Sequence, residues 1–275
     1  MSMTGLRVKR LAAALGVLVV ALAGCSSTKS DDNAGGPLTA SVDQLYSQAK
    51  SEMASGTWDS AVKTLERLEG RAAGTVLAQQ AQLDLAYVYW RSGDRAQALA
   101  TVERFIKLNP SSPALDYALY LRGVVNFNDD IGVMGSLAGQ DLAERDPRAM
   151  RDSYQAFKQL VDQFPDSAYA EDARVRMDYI INTLAEYELY VARYYYRRGA
   201  YVAAVNRAQQ AVNDFRGAPA TEEALYIMVL SYDRLGLDTL RDDADRVFKQ
   251  NFPNSTLPSQ GLRKGGGTSW WHIWN

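Results

Sequence analysis

The chain has 275 residues, with 30 Lys and Arg against 32 Asp and Glu, so its formal net charge is −2. A mildly acidic chain lacks the basic surface that nucleic-acid binding needs, and we expect no nucleic-acid partner. A single Cys and a single His exclude an internal disulfide and any metal site built from several such side chains, so we expect no metal. The length suffices for one large domain or two smaller ones.

Residues 1–24 have the features of a secretory signal. Arg7, Lys9 and Arg10 precede an uncharged run from Leu11 to Ala23. That run is shorter than the about 20 residues that cross a membrane. A basic head, a short apolar core and small residues before a cleavage point are typical of a signal peptide. Its removal takes away three cations and no anion, which changes the formal charge from −2 to −5.

Cys25 ends the stretch Leu22-Ala23-Gly24-Cys25, which resembles the lipobox of bacterial lipoproteins. The resemblance implies cleavage before Cys25, a covalent diacylglycerol and N-acyl lipid on this residue, and no other cofactor. The alternative is a buried free cysteine after a stray apolar segment. Ser26 follows, and lipoprotein sorting rules then favour a lipid-anchored protein at the outer membrane that faces the periplasm. Residues 25–40 are polar and aperiodic, and we expect a lipidated flexible tether there that spans roughly 20–25 Å.

The rest of the chain repeats itself. The stretches "MASGTWDSAVKTLERL", "WRSGDRAQALATVERF" and "YRRGAYVAAVNRAQQA" each carry a glycine and, five positions later, an alanine. Gly236 marks a fourth such turn, and prolines at 110, 165 and 253 close helical patterns because proline has no amide donor. Ser41 with Gln44 predicts a capping box, and Ser112-Pro113 and Asp146-Pro147 predict two further helix starts.

The repeats resemble the tetratricopeptide family, whose unit is two antiparallel helices that cross at small residues. The best match is 79–110, where Leu85, Ala86, Tyr89, Gly93, Ala98, Phe105 and Pro110 fit the pattern. Weaker units are expected at 42–73, 185–216 and 222–253, and residues 114–127 with 148–165 form another that is split by an insertion, 128–147. The prediction is an all-α, tetratricopeptide-repeat-like superhelical solenoid of about five helix pairs over 41–255, followed by a Gly/Trp-rich tail, 256–275. Residues 168–198 could be one long helix or two.

Nothing in the sequence predicts catalysis. His272, the only histidine, lies in the tail, and no glycine-rich phosphate loop occurs. A cell-wall lytic enzyme would need a catalytic glutamate in a lysozyme-like domain, and no segment remains to form one. We therefore expect a binding protein and no enzyme.

A solenoid of helix pairs presents the first helix of each pair on a concave face. Helical spacing places aromatic and basic side chains there: Tyr46, Lys50, Met53, Tyr87, Trp90, Arg91, Tyr117, Tyr120 and Phe127. Aromatic residues at this spacing are more often core, and both interpretations stay open. As a groove, these residues would suit a peptide with an aromatic side chain and a terminal carboxylate.

Longer stretches resemble the BamD (YfiO) family of outer-membrane lipoproteins over residues 25 to about 255. They are "LYLRGVVNF", "RDP" after the insertion, "FKQLVDQFPDSAYAEDARVRM" and "AEYELYVARYYYRRGAYVAAVNRAQ". The resemblance implies a non-enzymatic scaffold of the β-barrel assembly machinery, the BAM complex. It would bind the POTRA region of BamA, lipoproteins such as BamC, and unfolded outer-membrane β-barrel proteins, whose insertion it would promote.

The resemblance places the BamA contact in the C-terminal repeats, where we expect it to involve Tyr196, Arg197, Arg198, Tyr201 and Arg207. The alternatives are a repeat lipoprotein adaptor for pilus or secretin assembly and a cell-envelope coordinator. Both should lack the long insertion and the "RRGAY" stretch. The tail departs from the family, and its tryptophans suggest contact with the membrane interface, packing into the protein's own groove, or a disordered end.

Overall fold

A computed structural model describes residues 40–127 and 147–263. Within these ranges the chain forms eleven helices and no strand. The first five are α1 (Val42–Ser55), α2 (Trp58–Arg71), α3 (Val76–Arg91), α4 (Arg95–Leu108) and α5 (Leu115–Asn126). The others are α6 (Pro147–Gln163), α7 (Ala170–Arg197), α8 (Tyr201–Asp214), α9 (Ala220–Arg234), α10 (Asp238–Asn251) and the short α11 (Leu257–Gln260). The predicted all-α fold is confirmed.

The recurring glycines stand between consecutive helices. Gly56, Gly199 and Gly236 each connect two helices that pack on each other within one unit, and their φ angles are +73°, +76° and +69°. Gly93 follows α3 and has a φ angle of +89°. Side chains with a Cβ rarely adopt such angles, so glycine takes them at little cost. The helices α4, α6 and α10 end at residues 108, 163 and 251, just before the three prolines. These local signals were predicted correctly from the sequence.

The chain divides into two compact units, one up to Ser92 and one from Gly93. In the first unit, α1, α2 and α3 share a core around Leu45, Leu65, Leu68 and Leu85. In the second unit, α5 packs with α6, α7 with α8, and α9 with α10. Buried alanines such as Ala204, Ala208 and Ala224 let the helices of this unit approach closely.

The helix α7 settles the open question about residues 168–198. It is one helix of 28 residues, and it begins 15 residues before the predicted unit at 185. It packs with α6, α8 and α9. The pair α5 and α6 forms as predicted on either side of the insertion, and Pro147 opens α6.

Two helix boundaries can be compared with the capping predictions. The capping box at Ser41 is confirmed, because the Gln44 amide donates to Ser41 Oγ over 3.2 Å and the Ser41 amide donates to Gln44 Oε1 over 2.9 Å. The predicted cap at Ser112 is wrong: α5 has Ala114 as its N-cap, without a side-chain cap. Ser112 Oγ instead accepts from the Ala114 amide over 3.4 Å, and the Ser112 carbonyl accepts from the Leu115 amide over 3.0 Å. Ser112 thus begins a turn that precedes the helix.

The folded part extends past the predicted boundary at 255. Leu257 is buried against Leu225 and Phe248, so α11 belongs to the second unit. The predictions for the signal, Cys25, the tether up to residue 39, the insertion up to Asp146 and the tail from Lys264 lie outside the described residues. No helix in the described ranges is long and apolar enough to span a membrane.

Candidate functional site

An exposed arginine in the first unit lies against three aromatic rings. The Arg91 guanidinium is 5.2 Å from the Trp58 ring centroid, 5.8 Å from Tyr87 and 5.9 Å from Trp90. It also donates to the Tyr87 hydroxyl over 2.9 Å. No carboxylate pairs with Arg91 among the residues that the structure describes. These four residues, the Arg91 cluster, therefore offer a cation held on an aromatic platform.

Lys50 has a partner inside the same unit. Its Nζ lies 3.7 Å from Asp84 Oδ2 and 5.8 Å from the Tyr46 ring centroid. Asp84 is only 5% exposed. Burial raises the pKa of the Asp84 carboxyl above 3.8, and the nearby Lys50 charge partly opposes that shift. The first unit therefore leaves Arg91, more than Lys50, ready to meet an incoming anion.

The aromatic residues of the predicted groove are partly core. Tyr46, Met53 and Tyr87 are half-buried and pack against the hydrophobic core of the first unit. One edge of each side chain therefore contacts the core and the other stays accessible, and the groove stays a prediction.

Tyr120 and Phe127 lie in the second unit and pack against the start of α7. Tyr120 stacks on Tyr169 at 4.9 Å and donates to Asp172 Oδ2 over 2.7 Å. Burial, followed by this hydrogen bond, raises the pKa of Tyr120 to about 12. The Phe127 ring lies 5.0 Å from the Arg176 guanidinium and 5.5 Å from Tyr179. Tyr117 joins this cluster through Tyr169 at 5.4 Å.

The α7 partners of these aromatic residues were not predicted from the sequence. Asp172, Arg176 and Tyr179 recur every three or four positions, which is the spacing of a single helix face. That regular spacing was a usable signal once residues 170–197 were assigned to one helix.

A second exposed group of arginines and tyrosines lies at the C-terminal end of α7. Arg197 and Arg198 line a shallow pocket with Tyr190 and Tyr194, whose side chains are 37% and 49% exposed. The Arg198 guanidinium lies 5.4 Å from the Tyr194 ring centroid. No carboxylate of the described chain pairs with Arg197 or Arg198. We call these four residues the Arg198 surface; Tyr190 and Tyr194 were missed in the sequence.

The other residues of the predicted BamA contact, Tyr196, Tyr201 and Arg207, do not form one cluster. Tyr196 and Tyr201 contact each other across the Gly199 turn, with ring centroids 5.6 Å apart. Arg207 instead pairs with Glu188 over 3.0 Å, and Arg151 lies 3.9 Å from the same carboxylate. Glu188 is 1% exposed, so the structure gives Arg207 a partner within the chain.

A buried ion pair joins α7 to α9 close to the Arg198 surface. Arg193 donates to both Glu223 oxygens, over 2.7 and 2.6 Å, and these residues are 5% and 0% exposed. Two parallel charge-assisted hydrogen bonds offset much of the cost of burying both charges. The described residues contain no group of His, Cys, Asp and Glu that could hold a metal ion. Both exposed clusters have the aromatic and arginine composition of protein-binding surfaces.

Comparison with known proteins gives one family. The family model YfiO, described as an outer membrane lipoprotein, matches residues 39–247. A protein of Neisseria meningitidis serogroup A named outer membrane protein assembly factor BamD is 44% identical over 235 residues, which cover 86% of this chain and 88% of that protein. The protein of the same name from Vibrio cholerae is 39% identical over 208 residues, with 76% and 86% covered. Both are named as assembly factors, which confirms the prediction that the chain is not an enzyme.

Among solved structures, that of the MamA protein covers 82% of this chain and 98% of its own. It has a sequence identity of 15% and a TM-score of 0.36. The repeat assignment therefore rests on the helix pairs of this chain.

Proposed function

The chain belongs to the YfiO family of outer membrane lipoproteins, and on that premise we propose that it is an assembly factor for outer-membrane β-barrel proteins. In this proposal it acts as a lipid-anchored scaffold that faces the periplasm. It binds the POTRA region of BamA and unfolded barrel proteins, alongside lipoproteins such as BamC. Family membership favours this role over an adaptor for pilus or secretin assembly.

One observation supports the proposed contact with BamA. Arginine is abundant in the second unit. Arg193 and Arg207 have carboxylate partners, whereas no carboxylate of residues 40–127 and 147–263 pairs with Arg197 or Arg198. The helix dipole at the end of α7 would be satisfied by one cation. Two exposed arginines beside two exposed tyrosines have the composition of an interface hot spot. We infer that a POTRA carboxylate pairs with Arg197 or Arg198.

Charge reversal tests this contact. Arg197→Glu with Arg198→Glu should abolish co-purification with BamA, because losing one partner of a desolvated pair costs roughly 2–5 kcal/mol. Arg174→Glu is the matched control, since Arg174 is exposed on the same helix, where it pairs with Glu171 and donates to the Pro165 carbonyl. The double variant must keep wild-type helicity by circular dichroism. Full retention of BamA by that variant would remove the Arg198 surface as the contact.

The Arg91 cluster supports the proposed binding of unfolded barrel proteins. A guanidinium on an aromatic platform can receive a terminal carboxylate while the rings contact an aromatic side chain. Tyr87→Ala with Arg91→Ala should weaken a peptide that ends in an aromatic residue by ~1–4 kcal/mol. Lys63→Ala, an exposed change in the same unit, should have no effect. Unchanged calorimetric affinity in a correctly folded double variant would place the peptide elsewhere.

A further inference from the structure

Arg263, the last residue that the structure describes, is bound to two glutamates of α9. The Arg263 amide donates to Glu223 Oε1 over 3.2 Å, and its guanidinium lies 2.8 Å from Glu222 Oε2. Glu223 is the carboxylate that Arg193 binds from α7. Through this shared carboxylate, the backbone at residue 263 is held next to the C-terminal half of α7.

Arg193, which shares Glu223 with Arg263, lies on the same face of α7 as two residues of the Arg198 surface, Tyr190 and Arg197. Positions 186, 190, 193 and 197 follow each other at helical spacing, so their side chains share one face. Tyr190 is three residues before Arg193 and Arg197 is four residues after it, which places them about 4.5 and 6 Å away along the axis. Chain that leaves Arg263 therefore starts about one helical turn from Tyr190 and Arg197, and Tyr194 and Arg198 lie further around the same helix.

The segment after Arg263 contains aromatic side chains that suit the Arg198 surface, and it is long enough to reach that surface. Residues 264–275 read "KGGGTSWWHIWN", with three consecutive glycines before Trp270, Trp271, Ile273 and Trp274. Trp270 is seven positions after Arg263, and that length of chain can span up to roughly 23–25 Å. Tryptophan is the best aromatic partner for a guanidinium, and it stacks well on tyrosine.

We propose that the Trp-rich segment, residues 264–275, folds back and docks on the Arg198 surface of its own chain. Arg263 fixes the start of the segment, the glycines allow it to turn, and Trp270, Trp271 or Trp274 covers Tyr194 and Arg198. The same surface is the proposed BamA contact, so the segment would compete with BamA. That consequence rests on the proposed function, whereas the docking itself does not.

Photo-cross-linking of the full-length lipoprotein in detergent tests the docking. With benzoylphenylalanine in place of Tyr194, we expect the main adduct to map to residues 268–275 of the same chain. Val175 is the matched control, because it is 36% exposed on the same helix but about 28 Å away along the axis. The reciprocal variant, with the probe at Trp271, should map to residues 190–198. Arg263→Ala should lower both yields several-fold.

Three results would overturn the docking. One is an equal yield from positions 194 and 175. Another is a hybrid adduct between isotopically light and heavy chains, which would show that the segment binds a second copy. The third is an adduct of the Trp271 probe with detergent or lipid in place of residues 190–198, which would show that the tryptophans enter the membrane phase.

Truncation separates this proposal from the proposed function. A short flexible tether gives an effective concentration in the millimolar range, so deleting residues 264–275 should tighten BamA POTRA binding at least twofold. If the intramolecular adduct forms but truncation leaves the BamA affinity unchanged, the docking stands and the BamA contact lies elsewhere. If the adduct is absent and Arg198→Glu still abolishes BamA binding, the docking fails and the contact stands.

Discussion

Arginines in this protein serve three different purposes that depend on what surrounds each guanidinium. Arg193 is 5% exposed and holds Glu223 through two hydrogen bonds. Arg91 lies on aromatic rings, and Arg198 lies over Tyr194 at the end of a helix. A buried arginine needs a fixed carboxylate, whereas an exposed one is solvated by water and can exchange it for a partner. Exposed arginines without carboxylate partners are therefore the better candidates for binding.

Gly123 offers a test of packing at a single position. A Cβ at residue 123 would overlap the ring of Phe157, which is fully buried. Gly123→Ala should therefore destabilise the protein by about 1–3 kcal/mol, the usual cost of overpacking. Gly70 is the control, because a Cβ there meets nothing within 4 Å. Gly70→Ala should stabilise α2 by about 0.5–1 kcal/mol. Urea unfolding of both variants measures the two changes in the free energy of unfolding. Equal changes would contradict the predicted overlap with Phe157.

Asp84 should make stability depend on pH. Because burial raises the folded-state pKa of Asp84 above 3.8, ionisation disfavours the folded state at neutral pH. That penalty disappears as the pH falls through the folded-state pKa toward 3.8. Asp84→Asn should thus raise the free energy of unfolding at pH 7, and the gain should shrink toward pH 4. Asp178→Asn, an exposed change, is the control. A gain that grows in acid would show that the Lys50 interaction dominates.

The helix α7 organises the second unit because three regions of its length have different partners. Its first turns hold Tyr120 and Phe127 through Asp172, Arg176 and Tyr179. Its C-terminal half reaches α9 through Arg193 and then ends in the Arg198 surface. A rigid helix of 28 residues is about 42 Å long. It therefore fixes the spacing between the aromatic cluster and the proposed BamA contact.

The contribution of the Arg193–Glu223 ion pair to stability can be measured by removing one of the two side chains. Glu223→Ala should cost about 3–5 kcal/mol, because it leaves the Arg193 charge buried without a carboxylate. Adding Arg193→Met to Glu223→Leu should restore most of that loss, since a well-packed apolar pair replaces a buried ion pair at little cost. Glu171→Gln, which removes an exposed pair with Arg174, should leave urea unfolding unchanged. A cost for Glu223→Ala no larger than for Glu171→Gln would mean that water already solvates Arg193.

At the scale of the whole molecule, the proposed binding surfaces and the proposed membrane attachment belong to different parts of the chain. The Arg91 cluster belongs to the first unit and the Arg198 surface to the second. In the proposed function, the lipid on Cys25 holds both units at the membrane while their side chains remain in water. One acyl chain binds a membrane only marginally, whereas a multiply acylated cysteine anchors stably.

The anchor can be tested without changing either unit. Cys25→Ala should abolish incorporation of radiolabelled palmitate and leave the signal uncleaved by the lipoprotein peptidase, because the thiol that accepts the lipid is absent. Ser27→Ala, two residues further on, is the matched control and should be labelled normally. Palmitate entering the Cys25→Ala protein at the wild-type level would exclude this residue as the site.

The sequence by itself determined the local features of the fold. The turn glycines, the prolines after helices and the capping box at Ser41 act within a few residues of their own positions, so their pattern predicted the helix pairs. Family resemblance added the class of protein. The same local rules failed at Ser112, where a turn precedes the helix and Ala114 is the N-cap, and they could not decide whether residues 168–198 form one helix.

Tertiary structure decided which charged groups have partners. Arg193 meets Glu223 across 30 positions, and Tyr120 meets Asp172 across 52, and no spacing rule predicts pairs so far apart. Arg207 was expected beside Arg198, yet it pairs with the buried Glu188. A buried carboxylate must find a partner wherever the packed helices bring one. Only the packed structure therefore separates the arginines that hold the fold together from those exposed for a partner.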